Sequence, residues 1–185
     1  INAQQIGKSM GQQSQPSSEV AQIRQQLQQV MKELRSVQQK AMEQKEVSQK
    51  RDAYEKALKT AMMDIAQGDK KKKVQKRFAL QEKMQQMQEK LQNMDPKEDD
   101  RQKFTQAAQE YQTLGQEYQA LSQELGQVEQ KAASEKPVQQ KKESFVKEFR
   151  STMQEINPNL GQLMEKRQQL MMQFRKMQQK RKPQQ

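Results

Sequence analysis

The chain has 185 residues, a net charge of +11, and equal shares of hydrophobic and charged side chains, 31% each. About 45–50% of a typical globular domain is apolar, so this composition excludes a compact globule with a large core. It leaves either disorder or long helices that bury narrow stripes. Because Gln, Lys, Glu, Met and Ala favour helix and the apolar residues recur periodically, we predict an all-α protein without a sheet.

Several residue types that carry chemistry are missing. The chain contains no cysteine and no histidine, which removes the usual bases, nucleophiles and thiolate metal ligands. A glycine pattern of the kind that holds phosphates is also absent. We therefore expect neither an enzyme nor a bound cofactor or metal. No apolar run reaches the roughly 18 residues of a membrane span. The first residue is Ile rather than Met, which favours an exported or proteolytically matured protein.

The charge is distributed in blocks. Residues 1–69 carry +2, residues 70–94 carry +6, residues 95–137 carry −4 and residues 138–185 carry +7. Two basic blocks thus flank one acidic block. This pattern suits an acidic surface or a nucleic acid as partner, or contact between copies of the chain through opposite charges.

The first predicted element follows an arm over residues 1–17, which has glycine and proline but no period and should be flexible. From residue 18 the apolar residues alternate steps of three and four, the coiled-coil pattern, and predict one helix over 18–67 with a polar stretch in its middle. Such a helix needs a partner along its seam. The seam residues are Val20, Ile23, Leu27, Val30, Leu34 and Val37.

A second helix is predicted over 70–93. Gly68 suits the left-handed conformation that ends a helix, and Asp69 can cap the next one. The helix opens with a basic patch that fits a phosphate, a nucleic acid or an acidic lipid, unless it is simply an exposed helix start. The patch consists of Lys70, Lys71, Lys72, Lys73, Lys76 and Arg77.

A third helix is predicted over 96–135, with Asp95 as its cap and Pro96 at its first position. The stop before Asp95 and the start after it favour a turn, and hence an antiparallel hairpin with 70–93. The alternative is a kink, with 70–120 returning along 18–67 so that Leu34 faces Phe104. Gly115 and Gly126 should weaken this helix locally. Its seam residues are Phe104, Tyr111, Leu114, Tyr118, Leu121 and Leu125.

The C-terminal region, 136–185, is basic. Helices are predicted over about 138–156 and 159–180, followed by a loose tail. The last helix is amphipathic and rich in Met, so it suits a membrane surface, a groove in a partner, or packing within its own bundle. Its apolar residues are Leu163, Leu170, Met171, Phe174 and Met177.

The stretch from Gly68 to Glu124 resembles the helical tentacles of the Skp/OmpH family of periplasmic chaperones. Those tentacles are basic hairpins rich in Gln, Lys and Met with a short polar tip, and the segment that resembles the tip in this chain is "NMDPKEDD". The strands that flank the hairpin in that family have no counterpart in "AYEKALKTAMMDIAQ" or "EFRSTMQEINPNLG". The resemblance implies a holdase for unfolded clients and carries over no individual functional residue.

These features together predict a glutamine-rich structural or assembly protein, built from elongated antiparallel hairpins or coiled coils. In this interpretation the chain is an extended subunit of a larger complex or filament, with copies of itself or other proteins as partners. One alternative is the Skp-like holdase. Another is a basic packaging protein that associates with nucleic acid.

Overall fold

The computed structural model describes residues 18–94 and 101–180, and these residues form seven α-helices and no strand. The prediction of an all-α fold is confirmed. The predicted arm over 1–17, the Asp95-Pro96 turn and the tail after 180 lie outside the described residues. The helices are α1 (Ser18–Glu43), α2 (Lys45–Ile65), α3 (Asp69–Asn93), α4 (Arg101–Glu124), α5 (Gly126–Ala133), α6 (Lys136–Ile156) and α7 (Leu160–Lys180).

No helix within the described ranges combines the length and the apolar character needed to cross a membrane.

The helix predicted over 18–67 is instead two helices, which meet at Gln44. The Gln44 amide donates to the Ala41 carbonyl at 3.1 Å. This i to i−3 hydrogen bond closes a smaller turn than the i to i−4 bond of an α-helix. The buried stripe ends at Ala41 and resumes at Val47, which is fully buried. A continuous stripe of alternating three- and four-residue steps would pass from Ala41 to position 48, so the buried position is displaced by one residue across Gln44.

The helix predicted over 96–135 is also interrupted, at Leu125. This residue leaves helical geometry, with φ −94° and ψ 6°, while its side chain is fully buried. Gly126 then starts α5. A glycine is a poor helix residue, and the break lets the neighbouring Leu125 turn into the core.

The junction between α2 and α3 has a glycine in a conformation that other residues avoid. Gly68 has φ +59° and ψ −128°, a combination that is strained for any residue with a Cβ. Asp69 is the first residue of α3 rather than its cap, and no side chain of the described residues caps this helix. The capping prediction for Asp69 is wrong. Its carboxylate lies in the first helical turn, where the helix dipole favours negative charge.

The chain divides into two compact units. Among the described residues, one unit contains 18–45 and 149–180 and is called the α1–α7 unit because α1 packs against α7 in it, and the central unit contains 46–94 and 101–148.

The α1–α7 unit is built on the apolar stripe of α1, which packs against α7 and the end of α6. Leu34 lies in this core, so the alternative in which Leu34 faces Phe104 is wrong. Leu27, Met153, Leu163, Phe174 and Met177 border the core. Its buried residues are Ile23, Val30, Leu34, Val37, Leu160 and Leu170.

The central unit has a second core, to which α2, α3, α5 and α6 all contribute. The α2 helix also approaches α6 at two further points. The Lys50 ammonium lies 3.3 Å from the Glu148 carboxylate, and the rings of Tyr54 and Phe145 stack with centroids 6.4 Å apart. The buried residues of this core are Leu58, Ala61, Met62, Ala66, Val74, Leu125, Val128, Ala132 and Val138.

Candidate interaction surfaces

The basic patch at the start of α3 is partly neutralised by acids of α4 and α5. Lys73 forms an ion pair with Glu124, and the Lys76 ammonium lies 3.8 Å from the Glu117 carboxylate. Residue numbers rise along α3 while those of their partners fall along α4, so the two helices are antiparallel. Within the described residues, three acids of the block 95–137, namely Glu117, Glu124 and Glu129, thus pair with cations of the basic block 70–94.

Lys70, Lys71 and Lys72 are exposed. These three lysines of the predicted patch form a cationic surface that faces solvent.

Arg77 was predicted as a member of this surface patch, and that placement is wrong. Its side chain is only 6% exposed. The guanidinium donates to Glu129 Oε1 at 3.0 Å and to the Tyr118 hydroxyl at 3.4 Å. It also lies over the rings of Phe78 and Tyr118, 5.4 and 5.5 Å from their centroids. Arg77 is therefore an interior residue that joins α3 to α4 and α5.

The partners of Arg77 stabilise the positive charge of its guanidinium group. Burial by itself lowers the pKa of Arg77, but the hydrogen bonds to Tyr118 and Glu129 and their charges raise this pKa overall. The sequence contained a signal for this position, because Arg77 lies three residues from both Val74 and Leu80. Those two residues are buried on the same stripe of α3, so helical spacing places Arg77 among them.

The predicted seam of the third helix is divided between buried and half-buried positions. Leu121 and Leu125 are buried, whereas Phe104, Tyr111, Leu114 and Tyr118 are half-buried. Gly115 of α4 faces α3, because a Cβ added at this glycine would lie 3.8 Å from Met84 Cε. The part of the α3–α4 pair farthest from the core therefore keeps aromatic and Met side chains partly accessible.

The amphipathic C-terminal helix packs within its own unit. Leu170 is buried, and Leu163, Met171, Phe174 and Met177 are half-buried. Most of its predicted apolar stripe is thus occupied by contacts with the α1–α7 core. Two methionines lie outside that stripe, and Met164 and Met172 are 52% and 51% exposed.

One face of α1 forms a groove of about 750 Å³ with a ring of α7. Its surface is mostly apolar, and the Arg24 guanidinium lies 5.5 Å from the centroid of the Phe174 ring. This feature is called the α1 groove below. Its apolar residues are Leu27, Met31 and Phe174, and its cations are Arg24, Lys32 and Arg35.

A second groove, of about 520 Å³, lies between α2 and α3 and mixes both signs of charge. Gln81 Nε2 donates to Glu55 Oε1 at 3.0 Å in this groove. Burial raises the pKa of the Glu55 carboxyl, an effect that Arg51 and the Gln81 hydrogen bond oppose and that Asp52 strengthens. The groove thus contains a half-buried carboxylate rather than a uniform charge.

Among the described residues, no group of three or more acidic side chains is arranged to hold a metal ion.

Comparison with known proteins gives no relative, because no protein-family model, curated protein or solved structure matches the chain. The resemblance of residues 68–124 to the Skp/OmpH hairpin stays a prediction.

Proposed function

We propose that the protein is a structural or assembly protein, a coiled-coil-like helical subunit of a larger complex. The observation that carries this proposal is the small amount of buried apolar surface. Only 21 apolar side chains are buried in the described part of the chain, and five of them are alanines. They lie in narrow stripes between neighbouring helices, so most of each helical surface is available to a partner.

The charges favour a partner that is acidic. Glu117, Glu124 and Glu129 of the acidic block are already paired with cations of α3. They contribute less to contact between copies than the block pattern of the sequence suggests. The basic surplus of residues 138–185 is +7, and the three acids just named pair with α3 rather than with this region. Opposite charge between subunits raises association rates and selects the partner.

A holdase is the second candidate, and the outer part of the α3–α4 pair favours it. Met84, Met87, Phe104 and Tyr111 are half-buried there, so a two-helix arm presents adaptable apolar side chains beside basic ones. Methionine surfaces accommodate varied partners because the side chain is flexible and polarizable. A holdase would bind many unfolded chains rather than one folded partner.

A nucleic-acid-associated protein is the third candidate, supported by the exposed Lys70, Lys71 and Lys72. Two observations count against it. Lys73 and Lys76 are paired with acids of the same chain, and Phe78 is partly buried against the central core rather than presented for base stacking. Binding through three lysines alone would be weak and strongly salt-dependent.

Site-specific photo-crosslinking separates the three candidates. A benzophenone amino acid replaces Met172 in the α1–α7 unit or Lys71 in the central unit, and the chain is irradiated in its own cells. We expect a discrete product containing one protein partner. A heterogeneous set of products with unfolded chains would favour the holdase, and nuclease-sensitive products would favour the nucleic-acid protein. Either result would contradict the proposed function.

A further inference from the structure

We propose that the α1 groove binds an acidic amphipathic helix of a protein partner. This inference rests on the proposed function, since it names the class of partner that an assembly subunit would recruit.

The first argument is the charge of the groove. Arg24, Lys32 and Arg35 line it, and no acidic side chain of the described residues does. Three cations along one face, without a counter-charge in the lining, attract an anionic ligand. The Arg24 guanidinium carbon also lies 5.5 Å from the centroid of the Phe174 ring, which is within the range of a cation–π interaction, so charge and aromatic ring lie side by side in the groove.

The second argument is the apolar floor. Leu27, Met31 and Phe174 line the groove together with the cations and are half-buried. A ligand that only neutralised the cations would leave these side chains in contact with water. A ligand with an apolar face and acidic flanks satisfies both features, because each hydrophobic contact removes apolar surface from water.

The third argument is the length of the groove. Its lining runs along α1 from Arg24 to Gln39, which is about 22 Å at about 1.5 Å per residue. This length matches about four turns of a partner helix laid in the groove with apolar anchors at positions i, i+4 and i+7. The cations are distributed along the groove, whereas a single lipid carboxylate or phosphate would need them at one end.

The test is fluorescence anisotropy with the full chain and a labelled peptide of about 16 residues. The peptide has leucines on one helical face and glutamates beside them. We expect saturable binding that weakens as salt is raised. The double variant Lys32→Glu with Arg35→Glu should weaken binding by about tenfold or more, because it reverses two charges in the groove. Both side chains are exposed, so the fold should be retained, as circular dichroism checks.

The matched control reverses two exposed cations of α7 that lie outside the groove lining, Lys166→Glu with Lys176→Glu. It changes the net charge equally and should leave most of the binding intact. Equal weakening by both double variants would overturn the proposal, since it would indicate general charge attraction. Equal binding of a peptide with serines in place of the leucines would also overturn it. So would binding of phosphatidylglycerol vesicles, but not of the peptide, that depends on Lys32 and Arg35.

The photo-crosslinking experiment distinguishes failure of this inference from failure of the proposed function. If the discrete partner still crosslinks to the Lys32→Glu, Arg35→Glu variant at full yield, the groove proposal fails and the assembly function stands. If the peptide binds but no discrete partner is crosslinked in cells, the assembly function fails.

Discussion

Arg77 is the residue whose loss should weaken the central unit most. Removing its side chain leaves Glu129 without its cation and opens space beside Met62 and Tyr118. The Glu129 side chain is 35% exposed, so its unpaired charge costs less than the roughly 3–5 kcal/mol of a fully buried one. We therefore expect Arg77→Ala to lower the free energy of unfolding by about 2 kcal/mol, measured by urea denaturation followed by circular dichroism.

The neighbouring Lys76 supplies the control for Arg77. Its ion pair with Glu117 is exposed, so Lys76→Ala should cost less than about 1 kcal/mol. Replacing both members of the Arg77–Glu129 pair, Arg77→Met with Glu129→Gln, should recover much of the loss because no unpaired charge remains. Equal effects of Arg77→Ala and Lys76→Ala would show that Arg77 is not an interior residue.

Glu55 should make the stability of the central unit depend on pH. Burial raises the pKa of this carboxyl, so the folded chain holds its proton more tightly than the unfolded chain does. The corresponding stabilisation is fully present below the unfolded pKa and is lost as pH rises through the folded pKa. Glu55→Gln keeps an acceptor for Gln81 and removes this loss. The variant should be more stable than the parent at neutral pH and equal to it below about pH 4.

Thermal unfolding at several pH values measures the Glu55 effect. Glu89→Gln, at an exposed acid of α3, controls for the loss of one negative charge. If both variants shift the melting temperature in parallel at all pH values, the effect arises from net charge and not from the burial of Glu55.

Two glycines should respond to alanine with opposite signs. Gly115 lies inside α4, and its new Cβ would meet Met84 Cε at an ordinary contact distance of 3.8 Å. Gly115→Ala should stabilise the chain by about 0.5–1 kcal/mol. Gly68 has φ +59°, so Gly68→Ala should destabilise it by about 1–2 kcal/mol. Urea titrations in which both variants shift in the same direction would contradict the backbone geometry of one of these sites.

At the scale of the helices, the periodic spacing predicted where apolar residues face a neighbour. The α1 stripe from Val20 to Val37 illustrates this, since five of its six predicted residues are buried and Leu27 is half-buried. The break at Leu125 falls beside Gly126, where the sequence predicted a local weakening of the helix. The break at Gln44 was not predicted, because Gln44 is neither a proline nor a glycine and the buried stripe shifts phase between Ala41 and Val47.

The antiparallel contact of α3 with α4 can be tested by crosslinking. Met84 faces Gly115, so Met84→Cys with Gly115→Cys should be joined rapidly by a short bismaleimide within one chain. Met84→Cys with Phe104→Cys is the matched control. Position 104 lies about 16 Å farther along α4 from position 115, so this pair should react slowly. Faster closure of the control pair, read from the electrophoretic mobility of the denatured chain, would contradict the register.

At the scale of the whole molecule, the composition was sufficient to predict the fold class but not the candidate site. The α1 groove combines Arg24 and Leu27 with Phe174, and these residues are far apart in sequence. Their combination depends on which helix covers the α1 stripe. Periodicity alone allowed α1 to pair with the third predicted helix, and only the packed core with Leu160 and Leu170 assigns α7. The sequence likewise shows an acidic block but not its partners, and the structure pairs Glu117, Glu124 and Glu129 with cations of α3.

The mass of the native assembly tests the central claim most directly. The tagged chain is purified from its own cells at physiological salt, and its complexes are measured by native mass spectrometry. An assembly subunit should give one discrete species with fixed stoichiometry, heavier than the denatured tagged chain by the mass of its partners. A species with the mass of a single tagged chain, or a continuous distribution of masses from many bound chains, would contradict the assembly function.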